Sequence, residues 1–517
     1  MNRRGLFGGM GAAFASALSF SNLLFSRKAN AKTWISEPVL RDGTINPRDV
    51  KINLKPVMTN LIHTGKWEGP CRWDPVSVSE EKVQAKENFN RWVKECKEGK
   101  LNLDQENVNI LEPVQITFSE DFILRQEEID KLKPDSRETD ACFILAYGSS
   151  ISAFEIGKQL NRPIILVGLN CRNVDIAGYT RSKGYEAYVP ADYKELNELV
   201  ALLRARKVFS QTSILFPTDR GLPAVCSVCA INDLQQLEEK LGVVVKQIPY
   251  KELDEKMNEV LNSKTEREKA EQAADKLLGN AQKSFIDRKY VVSSIEFYQA
   301  VKSLMNRHGC NAFTIECFEF CSNRLPEKWT ITPCLIHTLL RDQGCASSCE
   351  ADLGSLLAMR LLMSVSNKSC HQGNADPVQG SVDTFKINHS ATGIKMNGYG
   401  QPDLPYQLGR FVASGWGTKA VINFTDNIEK TVTVARVDPT ATKVLVLKGE
   451  LVGASGWNKD NLGCSVEAVI KPPSGRTEEF MKKRVDYGNH LPWVYGDYTG
   501  ELQQLGEMLN LKVEVIS

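Results

Sequence analysis

From about residue 108 to 260 the chain alternates short apolar runs with amphipathic stretches, and this alternation constrains the fold more than any other feature. The runs 141–147, 163–167 and 212–216 are short and predominantly apolar, as strands buried on both faces of a parallel sheet are. Between them, 152–160 and 193–205 carry helical periodicity. Strand–helix repeats of this kind predict a doubly wound α/β region. A second region of similar texture, from about 285 to 385, follows a charged, Ala-rich segment at 260–282 that reads as a solvated linking helix. Beyond 400 the segments 419–424, 431–437, 443–452 and 464–471 are β-branched and alternating, which predicts antiparallel strands of a smaller sheet or barrel. The chain closes on a strand at 493–495, a helix at 500–509 and a strand at 512–516. A chain of 517 residues exceeds what one core sustains. The expected division is two α/β domains, 32–262 and 263–390, before a β-rich C-terminal domain, 391–517.

Residues 32–105 are polar and turn-rich, and Pro56, Gly65, Gly69, Pro70 and Pro75 are expected to break any long element. Within them the loop from His63 to Pro70 carries Lys66, Trp67 and Glu68, a composition that suits a functional loop. Trp67 is a candidate for contact with a ligand, packing being its plainer role.

The first 31 residues have a character of their own. Arg3-Arg4 precedes a weakly apolar stretch, 8–25, and Ala29-Asn30-Ala31 forms a small-x-small site before Lys32. That order reads as a secretory signal of the twin-arginine type. Ser16, Ser19, Ser21 and Asn22 dilute the stretch, whereas a spanning helix needs about 20 mostly apolar residues. Removal of 1–31 leaves 60 basic against 63 acidic residues. The processed protein is expected in the periplasm, without stable membrane insertion. Its near-neutral charge and lack of basic runs exclude nucleic acid as a partner class.

Fourteen cysteines are scattered over a chain with a full apolar complement, so folding does not require a disulfide framework. Twin-arginine export carries chains already folded in the cytoplasm, where thiols are reduced and a metal can be loaded. Cys226-Ser227-Val228-Cys229 has no second pair to complete a zinc site and reads as a structural loop. Ala146-Tyr147-Gly148-Ser149-Ser150 is a turn, not a dinucleotide fingerprint, and neither a P-loop nor a Gly-x-Ser-x-Gly elbow is present.

Metal-ligand side chains concentrate in three places. Cys349-Glu350-Ala351-Asp352 opens an apolar helix, where carboxylates also serve as caps. His371-Gln372-Gly373-Asn374-Ala375-Asp376 precedes Asn388-His389-Ser390. Gly488-Asn489-His490 lies near the end, and half of the six histidines fall in these stretches. Oxygen and imidazole donors without thiolate suit a hard or borderline divalent ion.

The Cys349–Asp352 stretch and the helix after it resemble the segment that carries the metal-binding glutamate of the L-fucose isomerases. His389 stands where the related L-arabinose isomerases place a metal-binding histidine. Gly488-Asn489-His490 with Tyr495-Gly496-Asp497 is similar to the segment holding the last histidine ligand, and the runs 311–318 and 332–340 match in pattern. The resemblance covers most of the chain after residue 105. It implies two Rossmann- or flavodoxin-like α/β domains before an antiparallel, barrel-like one, and a homo-oligomer with sites near subunit contacts. It implies a divalent metal, Mn²⁺ foremost with Mg²⁺ or Co²⁺ as substitutes, held by Glu350, Asn374, His389 and His490. The implied reaction is aldose–ketose isomerisation through an enediolate, with Glu350 as base as well as ligand and a second group returning the proton on the neighbouring carbon. The sequence departs from the family at Asn374, which replaces an ionisable carboxylate; Asp376, or else Asp352, is expected to supply the missing acid. Trp67, Trp416 and Asn489 are expected at the sugar, a sugar or polyol being the substrate. Tyr399, Trp457 and Trp493 are further stacking candidates, and Asp219-Arg220-Gly221-Leu222-Pro223 follows a strand where α/β sheets bind ligands. Two other readings stay open: an exported sugar-binding or sensing protein without turnover, and another metal-dependent carbohydrate enzyme such as an epimerase or lyase.

Overall fold

The computed structural model describes residues 46–69, 72–98, 103–104 and 106–517; the signal reading at 1–31 lies outside them. Among the described residues no helix is long and apolar enough to cross a membrane. The chain is a mixed α/β structure with parallel sheets and a C-terminal antiparallel six-stranded barrel.

The first parallel sheet is centred on Ile52–Leu61, flanked by Ala141–Ala146 on one edge and by Val108–Ile110 and Val114–Phe118 on the other. The expectation that proline breaks this region fails. Residues 52–54 pair with one neighbour and 57–61 with the next, and Pro56 falls in the gap between them. No ladder bond there needs its missing N–H. Val78–Lys97 is likewise a full helix, started by a Ser77–Glu80 capping box.

The second parallel sheet runs Val244–Ile248, Ser213–Pro217, Ala312–Ile315, Ser347–Cys349. It therefore takes strands from both sides of residue 262, where the sequence suggests a boundary. The intervening helix Lys264–Asn280 is not a free linker, because Ala270 and Ala274 are fully buried in a core shared with the barrel. The barrel also starts earlier than residue 391. Its strands are Thr431–Val437, His490–Tyr495, His371–Pro377, Phe385–His389, Val466–Lys471 and Lys443–Ser455, the last pairing back to the first. Closure leaves no free edge in this ring. The apolar helix Leu353–Ser366, buried on nearly every side, joins the second sheet to the barrel.

Asp342 ties the helix Cys334–Asp342 to the segment that follows the barrel strand Phe385–His389, its carboxylate accepting from the N–H groups of Ile394 and Lys395 at 3.0–3.1 Å. Burial lifts this carboxyl to about 6, against the opposing pull of those N–H groups and Ser369. A raised carboxyl makes the folded state bind the proton more tightly, so stability falls as pH rises through the window between the ordinary carboxyl value and about 6. The expected loss is about 3 kcal/mol. Urea midpoints measured across that window should show this slope in the wild type and lose it in Asp342→Asn.

Candidate metal centre

Three loops leave the carboxyl ends of adjacent strands in the second sheet and converge where the sheet meets the barrel, the position at which open α/β sheets form ligand crevices. Ser213–Pro217 is followed by the loop that carries Cys226 and Ser227. Ala312–Ile315 is followed by Glu316 and Cys317, and Ser347–Cys349 by Glu350 and Asp352. The last turn is backbone-strained. Glu350 and Ala351 both adopt left-handed conformations, at φ 59° and 51°, each costing roughly 1–2 kcal/mol for an L-residue. Two contacts hold the turn: Ala351 N–H donates to Ile315 O at 3.2 Å, and Asp352 caps the helix through Ser355 N–H at 3.0 Å.

The barrel supplies the histidines. His389 ends Phe385–His389 and His490 begins His490–Tyr495, the two strands that flank His371–Pro377. Their rings meet edge to face with centroids 5.4 Å apart. Glu350 lies between them: Oε1 is 3.6 Å from His389 Nε2, and Oε2 is 3.4 Å from His490 Nε2. Both histidines are buried, and neither Nε2 has a hydrogen-bond partner. His490 Nδ1 is 3.0 Å from Asp352 Oδ2, and Arg436 donates to the other oxygen, Oδ1, at 2.6 Å. This carboxylate–histidine pair fixes the ring and leaves Nε2 directed at Glu350, as outer partners of metal-binding histidines do. Ser227 Oγ lies 3.2 Å from His490 Nδ1 and 3.4 Å from Glu350 Oε2.

The electrostatics follow from this packing. Burial pushes the Glu350 carboxyl up, but His389 and His490 outweigh it and hold it at about 2. Asp352 is also held at about 2, Arg436 and His490 overcoming its burial. Burial pushes His389 down, yet Cys464 at its Nδ1 (3.9 Å) and Glu350 lift it to about 10. Glu316 moves the other way: burial and the Glu350 charge push it above the ordinary carboxyl range, despite an N–H bond from Glu319. Its Oε1 is buried without a partner.

The donor set is not free of thiols, contrary to the expectation from sequence. The donor atoms of Cys349, Glu350 and His389 lie within 4.8 Å of one another, and Cys317 Sγ is 3.0 Å from Cys349 Sγ. Cys226 hydrogen-bonds Glu350, which pushes its thiol, already raised by burial, up to about 12. The Cys226–Cys229 loop therefore lines the centre: Cys229 O also accepts from Arg436 at 3.0 Å.

Other candidates lie elsewhere. Asn374 Oδ1 accepts from Asn489 Nδ2 at 2.7 Å, and Asn489 Oδ1 accepts from Ala375 N–H and Arg484; the two amides bind each other rather than Glu350. Asp376 is exposed and lies beside Arg484. The second acid brought to the histidines is Asp352, and Glu316, unnoticed in the sequence, is the third carboxyl of the cluster. Trp67 is 39% exposed and stacks on His63, whose ring is 2.9 Å from Glu81 in the first turn of the helix Val78–Lys97. Trp416 lies in the hairpin loop tied to Gly463, beside Cys464 in the chain. Trp493 is fully buried against Phe424 and Tyr495 and Tyr399 is buried, so both are core residues. His371 is also core, bonded to Thr392 at 2.8 Å. Asp219 and Arg220 belong to a turn whose N–H groups are bound by Glu319.

No protein-family model matches the chain, and no curated protein matches it.

Proposed function

We propose that this chain is a metal-dependent enzyme of the aldose–ketose isomerase kind, acting on a sugar or polyol, with its divalent ion held by Glu350, His389 and His490. The observation that carries the reading is the pair of buried, unpartnered Nε2 atoms facing one ionised carboxylate. Burying such groups without partners is costly, and a cation between them removes the cost. When bound, the ion supplies Lewis-acid polarisation of neighbouring substrate oxygens.

The chain's own groups then divide the remaining work. Asp352 and Arg436 orient His490. Glu350, held ionised, offers a fixed negative charge and is a weak base. Glu316, raised and unpartnered, is the better group to take a proton from the carbon beside the carbonyl and return it to the next. Within the same reading, 1–31 directs export to the periplasm and the chain assembles as a homo-oligomer. The α/β portion forms two Rossmann- or flavodoxin-like units.

One observation favours a second reading, a sugar-binding protein without turnover: Asn374 carries no ionisable group and is bound to Asn489. The test is chelator-stripped protein reloaded with a divalent ion and offered a panel of aldoses in D₂O, beside a Glu350→Gln/His490→Ala control. Stoichiometric metal and deuterium in the sugar, both lost in the control, are expected. Metal with sugar binding but no exchange would replace the isomerase reading with the binding one. Absence of metal would sink both the centre and the reaction.

A further inference from the structure

We propose that Cys349 is a thiolate ligand of this centre beside Glu350 and His389, so that the site favours a borderline-soft ion such as Zn²⁺ over Mn²⁺. The inference rests on the metal reading above and deepens it. Among the described residues, Cys349 Sγ forms with Glu350 and His389 the one group of three or more donors whose atoms lie within 4.8 Å of each other, His490 standing on the far side of Glu350. The residue is buried, and its backbone is held from behind: Cys349 N–H donates to Gln372 Oε1 at 3.1 Å, and the buried Arg341 donates to the same oxygen at 2.7 Å. The Nε2 of His389, buried without a hydrogen-bond partner and 3.6 Å from Glu350 Oε1, is an independent pointer to a cation ligand there.

The other nearby thiols are placed for different tasks. Cys464 sits at His389 Nδ1, leaving that ring's other nitrogen for the ion. Cys226 is exposed and bonds Glu350 from the rim. Cys317 lies 3.0 Å from Cys349 and is positioned to donate its S–H to the ligand sulfur. Coordination is a proton exchange without redox change. The Cys349 S–H bond breaks, its proton passes to solvent or buffer, and the sulfur electron pair forms the metal bond. Thiolate donors shift preference toward zinc-like ions, whereas carboxylate and water sets suit manganese.

The test uses the full reduced chain, stripped and titrated with Co²⁺. A thiolate-to-cobalt charge-transfer band in the near ultraviolet, rising to stoichiometric cobalt, is expected. Cys349→Ser should keep the cobalt and lose the band, while Cys317→Ser and Cys464→Ser keep both. Nearly every site ranks Zn²⁺ above Mn²⁺, so the informative quantity is the change in that ratio; Cys349→Ser should lower it roughly tenfold or more. Stoichiometric cobalt without the band in the wild type, or a band unchanged in Cys349→Ser, overturns the thiolate ligand and leaves the metal centre standing. No bound metal overturns both.

Discussion

Replacing Arg436 with methionine is expected to lower the unfolding free energy by about 3–5 kcal/mol, the range for removing one partner of a buried ion pair. Arg436 and Asp352 are both almost wholly buried, 2.6 Å apart. Arg436 also donates to the carbonyls of Tyr487 at 2.8 Å, Cys229 at 3.0 Å and His490 at 3.3 Å. The guanidinium lies in a slot that two glycines keep open: a Cβ at Gly488 would stand 2.5 Å from it, and one at Gly354 3.2 Å. Without it, Asp352 keeps its charge with only His490 and its helix-cap bond to share it, and three carbonyls lose a donor. Asp352→Asn/Arg436→Met should therefore be less destabilised than the two single changes summed, with a coupling of about 1–3 kcal/mol. Denaturation midpoints of the four proteins measure that coupling. Strict additivity would mean that the pair is an incidental contact and that His490 is oriented by something else.

How much of this was legible in the sequence depended on whether a signal was local. The strand 431–437, the helix after Asp352 and the closing strand 512–516 were readable because period and branching are properties of neighbouring residues. Pro56 misled because its tolerance depends on a gap between two partner strands more than 50 residues away. Glu350, His389 and His490 were readable as scarce ligand types in short clusters. Cys349 as a donor, Ser227 and Glu316 were not, since only the parallel register of the second sheet brings their strand ends together. Asp376 shows the converse. It is two residues past Asn374, and along a strand that is about 7 Å further on, enough to carry it from the junction to the exposed end beside Arg484.

The same register argument yields the largest expected effect on turnover. Glu316→Gln should slow deuterium exchange into the sugar by about 10²–10⁴-fold, the usual contribution of a positioned acid–base group, while metal content stays stoichiometric. Ile315 pairs with Cys349, so Glu316 and Glu350 leave neighbouring strands at the same level. Proton transfer needs a group whose occupancy changes near working pH. Glu350 and Asp352, both held at about 2, stay ionised, and Asp376 is exposed beside Arg484. Glu316 alone among the four is buried, raised and has an oxygen with no partner. Because its value is raised, the proton-accepting form is reached at a higher pH than for an ordinary carboxyl. The rate should therefore climb with pH through that raised value in the wild type, and the acid limb should vanish in Glu316→Gln. Loss of metal in Glu316→Gln would make Glu316 a ligand instead. Unchanged exchange would return the proton transfer to Glu350, already in its proton-accepting form, and its two histidine neighbours would then have to give up their hold on it as it takes the proton.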